Sequence, residues 1–323
     1  MNKEQPLVSA LVACYNQSKF VYESLESIRK QTYPNIQIII IDDCSTDDSV
    51  EVIRNWIAKN SVECVFVAHR ENTGVCKTFN EALSHAKGKY ISIIAADDVW
   101  LLDKLENQVA AMEKLPEDVG VIYSDAWQID ENSELLRLKF IESHRQFSRM
   151  PEGEIFSVLL EKNFIPAMTP LIRKACYETV GIYDENLCYE DLDMWLRISQ
   201  HYKFAFSPVI SAKYRIVSNS ITRKVLHKRS CDNLRSRFLI FLKCLTPKAN
   251  APKRVITDHL NEIAEEMYKL NCKNRNTYLW KVLRHDLRRH TLAMLVSSLL
   301  GIPYNRFSSF VSWQAGTTPS DGD

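Results

Sequence analysis

The stretch that decides the fold is Ile38-Ile39-Ile40-Ile41-Asp42-Asp43, an unbroken apolar run that ends in two carboxylates. The same pattern returns at Tyr90-Ile91-Ser92-Ile93-Ile94-Ala95-Ala96-Asp97-Asp98. A short apolar run of this kind is typical of a parallel strand that is buried on both faces. Because ligands of open α/β sheets bind outside the carboxyl ends of the strands, we expect both acidic pairs at one edge of one sheet.

Strands and helices alternate along the first third of the chain. Segments with helical periodicity separate five strand-like runs, at residues 7–13, 36–41, 64–68, 90–95 and 119–123. Since crossovers between parallel strands are right-handed, this order predicts an α/β fold with a doubly wound, mixed but mainly parallel sheet. We place this domain at residues 1–222.

The charge of the chain is unevenly distributed, although the net charge is only +1. Residues 223–290 contain 17 Lys or Arg and 6 Asp or Glu, a net charge of +11, whereas residues 1–222 have a net charge of −9. We expect a basic helical region at 223–310 and a disordered tail at 311–323. The asymmetry indicates an anionic partner, such as a membrane or a nucleic acid. A solvated appendage and a homodimer interface are the alternatives.

The nine cysteines are scattered singly, and no two of them form a CxxC pair. This predicts reduced thiols in the cytoplasm rather than a disulfide framework or a zinc site. The polar N-terminus, Met1-Asn2-Lys3-Glu4-Gln5, has no signal-peptide apolar segment. The late apolar stretch at 292–302 is too short to span a bilayer. We therefore expect a cytoplasmic protein.

The second acidic pair, Asp97-Asp98, is a candidate metal site. Mg²⁺ or Mn²⁺ prefers one or two protein carboxylates together with water and substrate phosphate oxygens. Bound there, the cation would neutralise charge on a departing diphosphate. The alternative is that the pair caps a helix that begins near Leu101.

The other strand ends offer groups for a nucleotide. Asp43 can accept a hydrogen bond from a ribose hydroxyl or a base N–H, whereas Asp42 can equally be structural. Tyr15 can stack on a base, and Arg70 and Lys77 lie near a helix N-terminus that suits a diphosphate. Each has an ordinary alternative: a turn acid, a tyrosine that closes a loop, and surface cations near a turn.

The last acidic cluster is Glu190-Asp191 at a predicted helix start. The buried face of that helix, Leu192, Trp195 and Leu196, can hold the Asp191 carboxylate rigidly over a cleft. A general base must lie within hydrogen-bond reach of the proton it takes. The alternative is a partner for the helix dipole.

Taken in order, these segments resemble an inverting family-2 glycosyltransferase with the GT-A fold, in the nucleotide-diphospho-sugar transferase superfamily. The resemblance covers roughly residues 1–217, and it is carried by 8–16, 31–47, 71–74 with 80–82, 88–98 and 181–197.

The resemblance implies roles for individual residues. Asp191 matches the catalytic base, and Asp98 matches the usual metal ligand of a DXD-type element. Ala13, Tyr15 and Asp43 match the positions that form the nucleobase pocket of the family. Glu190, Trp195 and Arg197 match neighbours on the acceptor side.

Two positions depart from the family pattern. The first position of the DXD-type element is Ala96, which leaves Asp97 for a ribose or sugar contact and Asp98 for the metal. Ala13 stands where the family frequently has a hydroxyl residue, so one contact to the base or ribose of the nucleotide sugar would be made by the backbone. The region after residue 225 matches no part of the family.

The expected reaction is transfer of a sugar, with inversion, from a UDP- or dTDP-linked donor to a hydroxyl of a glycan or lipid-linked glycan in surface polysaccharide synthesis. An anionic membrane surface, on which the protein would lie peripherally, and a second copy of the chain are further candidate partners. Nucleic acid is not expected as a partner. A nucleotidyltransferase and a non-catalytic nucleotide-sugar-binding protein are the alternatives. The absence of a GxGxxG motif after the first strand argues against a dehydrogenase.

Overall fold

The computed structural model describes residues 5–217, 230–245 and 253–308. The chain divides into two compact units, Met1–Ser220 and Ile221–Asp323. The predicted disordered tail at 311–323 lies outside the described residues, as do 223–229, 246–252 and 309–310 of the predicted basic region.

The described part of the first unit contains eleven strands. They are β1 (Val8–Cys14), β2 (Ile36–Asp42), β3 (Cys64–Ala68), β4 (Tyr90–Ala95), β5 (Val99–Trp100), β6 (Val119–Tyr123), β7 (Ala126–Ile129), β8 (Leu135–Lys139), β9 (Leu171–Arg173), β10 (Lys203–Phe206) and β11 (Ala212–Arg215). Seven form the main sheet, in the order β10-β6-β9-β4-β1-β2-β3.

The main sheet confirms the predicted doubly wound, mainly parallel topology. β1 pairs in parallel with β2 and β4, and β2 pairs in parallel with β3. The sheet is mixed because β9 inserts antiparallel between β4 and β6. Apart from Ala13, Ile36 and Ala95, the apolar residues of β1, β2 and β4 are buried, as expected for strands covered on both faces.

A smaller sheet, in the order β5-β11-β7-β8, was not predicted. Two of its strands have only two and four residues, β5 and β7, which is too short for a periodic pattern to be recognised. β11 lies between β5, which directly follows Asp98, and β7, which follows β6, and it pairs with both of them.

Eight helices of the first unit flank the sheets. They are α1 (Val21–Arg29), α2 (Ser49–Asn60), α3 (Val75–His85), α4 (Lys104–Met112), α5 (Phe140–His144), α6 (Phe156–Glu161), α7 (Lys174–Val180) and α8 (Asp191–Ile198). The apolar stripe of α1, which contains Val21, Leu25 and Ile28, is fully buried. Its three residues are spaced i, i+4, i+7, so they lie on one side of the helix.

The second unit confirms the predicted helical region. Its helices are α9 (Cys231–Lys243), α10 (Lys253–Lys269), α11 (Arg275–His285) and α12 (Arg289–Leu299). Among the helices of the described residues, none combines the length and the hydropathy that a membrane span requires.

The prediction of reduced thiols is wrong for two of the cysteines. Cys231, at the start of α9, forms a disulfide with Cys272, just after α10. The two are 41 residues apart in sequence, and packing of α9 on α10 brings their Cα atoms to 5.6 Å. Sequence spacing cannot reveal such a pair. Because two cysteines form a disulfide, the cysteines no longer support the expectation of a cytoplasmic location.

Candidate functional site

Two acidic strand ends lie on either side of β1, at the carboxyl edge of the main sheet. In the sheet register Cys14 pairs with Asp42 of β2, and Ala13 pairs with Ala95 of β4. Because neighbouring strands are about 4.8 Å apart, the ends of β2 and β4 are separated by roughly 10 Å. The partly buried Ala13 lies between them.

Asp43 is held at the N-terminus of α3. Its Oδ1 accepts hydrogen bonds from the Thr73 backbone N–H at 2.7 Å and the Thr73 hydroxyl at 3.0 Å, and its Oδ2 accepts from the Gly74 N–H at 2.8 Å. Gly74 has φ +87°, a conformation that disfavours other residues. Burial raises the pKa of Asp43, but these donors and His69 outweigh it, so the net pKa shift is downward.

His69 bridges two carboxylates. Its Nδ1 lies 2.8 Å from Asp43 Oδ1, and its Nε2 lies 2.6 Å from Glu81 Oε2. A carboxylate only accepts hydrogen bonds, so both ring nitrogens donate when His69 is the imidazolium. Burial lowers the pKa of His69, but the two carboxylates outweigh it and raise the pKa. His69 therefore fixes the orientation of Asp43.

Asp42 has a structural role. Its Oδ1 and Oδ2 accept hydrogen bonds from the backbone N–H and the hydroxyl of Ser45, at 2.8 and 2.6 Å. The adjoining loops are strained, since Asn16 and Cys44 have positive φ values of 54° and 63°. Tyr15, in the first of these loops, is 37% exposed and available to stack on a ligand.

The two predicted diphosphate-binding cations lie on the surface around the start of α3. Arg70 is exposed in the loop before that helix, and Lys77 is exposed in its first turns. Neither of them forms an ion pair with a described residue. Their assignment remains a prediction.

Asp98 is buried beneath β11. Its Oδ1 accepts a hydrogen bond from the backbone N–H of Arg215 at 2.9 Å. The Arg215 guanidinium, fully buried, donates to the Asp97 carbonyl oxygen at 2.8 Å and to Glu23 Oε2 at 2.6 Å. α4 begins only at Lys104, so Asp98 does not cap it.

The acidic pair fits a hard divalent cation. Burial raises the pKa of both Asp97 and Asp98, and the Asp97 charge raises that of Asp98 further. Within the described residues, Asp98 Oδ2 accepts no hydrogen bond, which leaves it for a ligand. No group of three or more His, Cys, Asp or Glu suited to a metal occurs in the described part of the chain. Mg²⁺ or Mn²⁺ needs only one or two carboxylates when phosphate oxygens complete the shell.

Asp191 begins α8 and is held by Asn163. The Asn163 amide donates to Asp191 Oδ2 at 2.7 Å, and the Leu192 N–H donates to Oδ1 at 2.6 Å. Burial raises the pKa of Asp191. Burial and the charge of Asp191 raise the pKa of Glu190 to about 8. The two adjacent carboxyls therefore titrate as a pair.

α3 links the Asp43 carboxylate to the loop that precedes Asp191. Asn80, in the middle of α3, exchanges hydrogen bonds with the backbone of Tyr183 at 2.9 and 3.0 Å and donates to Glu185 at 3.0 Å. Nearer the helix start, the Cys76 thiol contacts the Leu187 carbonyl oxygen. The chain thus runs along α3 toward the sheet edge before it reaches residues 190–191.

Two residues predicted for the acceptor side point into the protein. Trp195 is fully buried, packs edge-on against Phe204, and its Nε1 has no hydrogen-bond partner in the described residues. The Arg197 guanidinium binds Asp193 at 2.8 Å and the Val180 carbonyl oxygen at 2.7 Å. In this conformation, the two side chains would affect an acceptor only indirectly, because they hold α8 in position.

Sequence reasoning missed the residues that orient the acids: His69, Asn80, Asn163 and Arg215. Each makes its contact with a residue at least 12 positions away. No periodic or local pattern marks such residues. The one signal for any of them was the position of Asn80 in the 80–82 segment, which carries part of the resemblance.

Comparison with known proteins agrees with this geometry. The family profile "Glycosyl transferase family 2" matches residues 9–179. WfaP of Escherichia coli, named as a UDP-Glc:alpha-D-GlcNAc-diphosphoundecaprenol beta-1,3-glucosyltransferase, is 31% identical over 67% of this chain and 80% of its own. A putative teichuronic acid biosynthesis glycosyltransferase, TuaG of Bacillus subtilis, is 28% identical over 69% of this chain and 84% of its own.

The fold also matches solved structures. The crystal structure of S. aureus TarS 1–349 in complex with UDP-GlcNAc has a TM-score of 0.66 and 16% identity, over 97% of this chain and 93% of that one. The chain spans about half or less of the length of two curated relatives that it matches, 47% of one and 33% of the other. Since the family profile matches more than half of the sequence, the chain belongs to glycosyltransferase family 2.

Proposed function

We propose that the protein is an inverting glycosyltransferase that moves a sugar from a UDP- or dTDP-linked donor to an acceptor hydroxyl in surface polysaccharide synthesis. The proposal is supported chiefly by the acids at the ends of β2 and β4, which flank β1, and by the Asp191 loop held along α3. Family membership argues against the nucleotidyltransferase alternative.

The hydrogen bonds of Asp43 favour a base with one N–H on its pairing edge. Oδ1 is saturated by Thr73 and His69, whereas, among the residues that the structure describes, Oδ2 accepts only from the Gly74 N–H. A carboxylate oxygen has about two lone-pair sites, so one remains on Oδ2. Uracil and thymine present a single imide N–H, whereas guanine presents two donor groups on that edge.

The chemistry is a single displacement. Asp191 takes the proton of the acceptor hydroxyl as its oxygen bonds to the anomeric carbon, from the face opposite the diphosphate. The bond from that carbon to the diphosphate oxygen breaks, and the configuration inverts. Asp98, with Asp97 beside it, would hold Mg²⁺ or Mn²⁺, and the bound cation would supply positive charge against the departing diphosphate. Asn163 keeps the Asp191 carboxylate oriented.

The acceptor is proposed to be a lipid-linked glycan. The name of the relative WfaP describes an acceptor linked to diphosphoundecaprenol, and TuaG is named for teichuronic acid biosynthesis. A cytoplasmic location at the membrane surface remains a prediction.

A donor screen tests the proposal. Binding of UDP-, dTDP- and GDP-sugars to the purified chain would be measured with and without Mn²⁺, followed by transfer to lipid-linked acceptors. Asp98→Ala should abolish metal-dependent donor binding. Asp191→Asn should bind donor normally and lose transfer by about 10²–10⁴-fold. Asp103→Asn, the same change at an exposed acid, should behave as wild type. Near-normal transfer by Asp191→Asn would show that the base is another group.

A further inference from the structure

The outer face of α12 is apolar although it is exposed. We define the α12 outer face as Leu292, Val296, Leu299 and Leu300, whose exposures are 44%, 49%, 65% and 72%. The first three are spaced i, i+4, i+7, so they share one side of the helix. The opposite side is buried, through Thr291, Met294, Leu295 and Ser298. α12 is therefore apolar on the side where a surface helix normally carries charge.

Exposed cations and further apolar side chains occur next to α12 in the chain and on α11, which packs on α12. Arg289, exposed, precedes Leu292 by three residues and so lies at the N-terminal end of the same side. Just before α12, Leu287 is 77% exposed. On the adjoining α11, Trp280 is 55% exposed, and Arg284 follows it one turn later, also exposed.

More positive charge lies beside the turn between α11 and α12. A cavity of about 500 Å³ is lined by Lys253, Arg254, His285 and Arg288, together with two acids. Both acids, Asp258 and Asp286, are already paired with Arg288. Lys253 and Arg254 are exposed and make no ion pair with any residue that the structure describes.

We propose that the α12 outer face docks on an anionic lipid bilayer, with α12 lying in the interface plane. A helix with exposed leucines, flanking Arg and a nearby Trp matches the chemistry of interfacial helices. The net charge of +11 on residues 223–290 complements anionic headgroups. A second copy of the chain is disfavoured as the occupant, because it would bring the same positive charge to the contact.

Vesicle sedimentation tests this proposal. The purified 323-residue chain would be mixed with vesicles of phosphatidylcholine, with or without phosphatidylglycerol. Wild type should partition at least tenfold more strongly to the anionic vesicles. The double variant Val296→Glu/Leu299→Glu should lose at least tenfold of that binding. The matched control is Leu135→Glu, a leucine of β8 that is 60% exposed, and it should bind as wild type.

Two further measurements keep the outcome decisive. Circular dichroism should show that the double variant is folded, and its donor affinity should be unchanged, so a failed donor screen and a failed docking test can be told apart. Equal binding to both vesicle types, or wild-type binding by the double variant, would overturn the proposal. So would a wild-type dimer that the double variant converts to a monomer without any vesicle binding.

Discussion

Replacement of His69 by Gln examines how the Asp43 carboxylate is held. The imidazolium donates to Asp43 at one nitrogen and to Glu81 at the other. A Gln side chain has donors on one atom only, and its carbonyl oxygen cannot donate to a carboxylate. His69→Gln therefore removes at least one charge-assisted hydrogen bond and loosens the orientation of Asp43.

The size of the effect follows from the burial of the two contacts. A hydrogen bond to a charged group contributes about 1.5–3 kcal/mol, and the Asp43 contact is in this class because that side chain is 6% exposed. The Glu81 carboxylate is 38% exposed, so its contact contributes ~0.5 kcal/mol. We expect the variant to lower the free energy of unfolding by about 2–3.5 kcal/mol at pH 6.

The effect should depend on pH with a definite sign. The pKa of His69 is raised in the folded state, above an unfolded value near 6.5. Its contribution is therefore complete below about pH 6.5 and is lost as the pH rises through the raised pKa. The stability difference between wild type and His69→Gln should shrink from pH 6 to pH 9, and UDP should bind the variant about tenfold more weakly at pH 6.

Urea unfolding at several pH values, together with UDP titration, measures both quantities. The matched control is His85→Gln, the same change on α3 at a histidine whose side chain has no contact with Asp43; it should match wild type. An equal loss of stability at pH 6 and pH 9 would refute the imidazolium bridge. Unchanged stability at both values would refute the structural role altogether.

Three other variants probe the remaining contacts. Asn80→Ala should lower the free energy of unfolding by about 2–3 kcal/mol in urea titrations and reduce kcat more than donor affinity, because it frees the 183–187 loop; an unchanged kcat would contradict this. Glu190→Gln should stabilise the fold by ~2 kcal/mol at pH 8 but not at pH 4, since the raised pKa makes folded Glu190 resist ionisation as the pH rises. In this variant, Asp191 should be the one carboxyl of the pair that still titrates in the pH profile of transfer. A profile identical to that of wild type would argue against coupled titration of Glu190 and Asp191. Cys272→Ser should lower the free energy of unfolding of the helical unit by about 2–4 kcal/mol, as expected for a disulfide that closes a loop of this length, and reductant should do the same to wild type but not to the variant.

The sequence by itself determined the order of the main-sheet strands and the helices through α4, together with the acids that follow β2 and β4. Burial on both faces forces continuous apolar runs, so β4 and β6 have the bounds that the sequence predicts. The edge strand β3 also has its predicted bounds, although it is only partly buried. The same local logic found the helix that begins at Asp191. These features depend on neighbours in the chain, which a sequence displays directly.

Only the tertiary structure decided what orients those acids. Arg215 reaches Asp97 and Asp98 from 117 or more residues away, and the Cys231–Cys272 bond depends on helix packing. The insertion of β9 into the main sheet likewise has no local signal. Contacts of this kind form between side chains whose separation is set by the whole fold, so neither spacing nor periodicity encodes them.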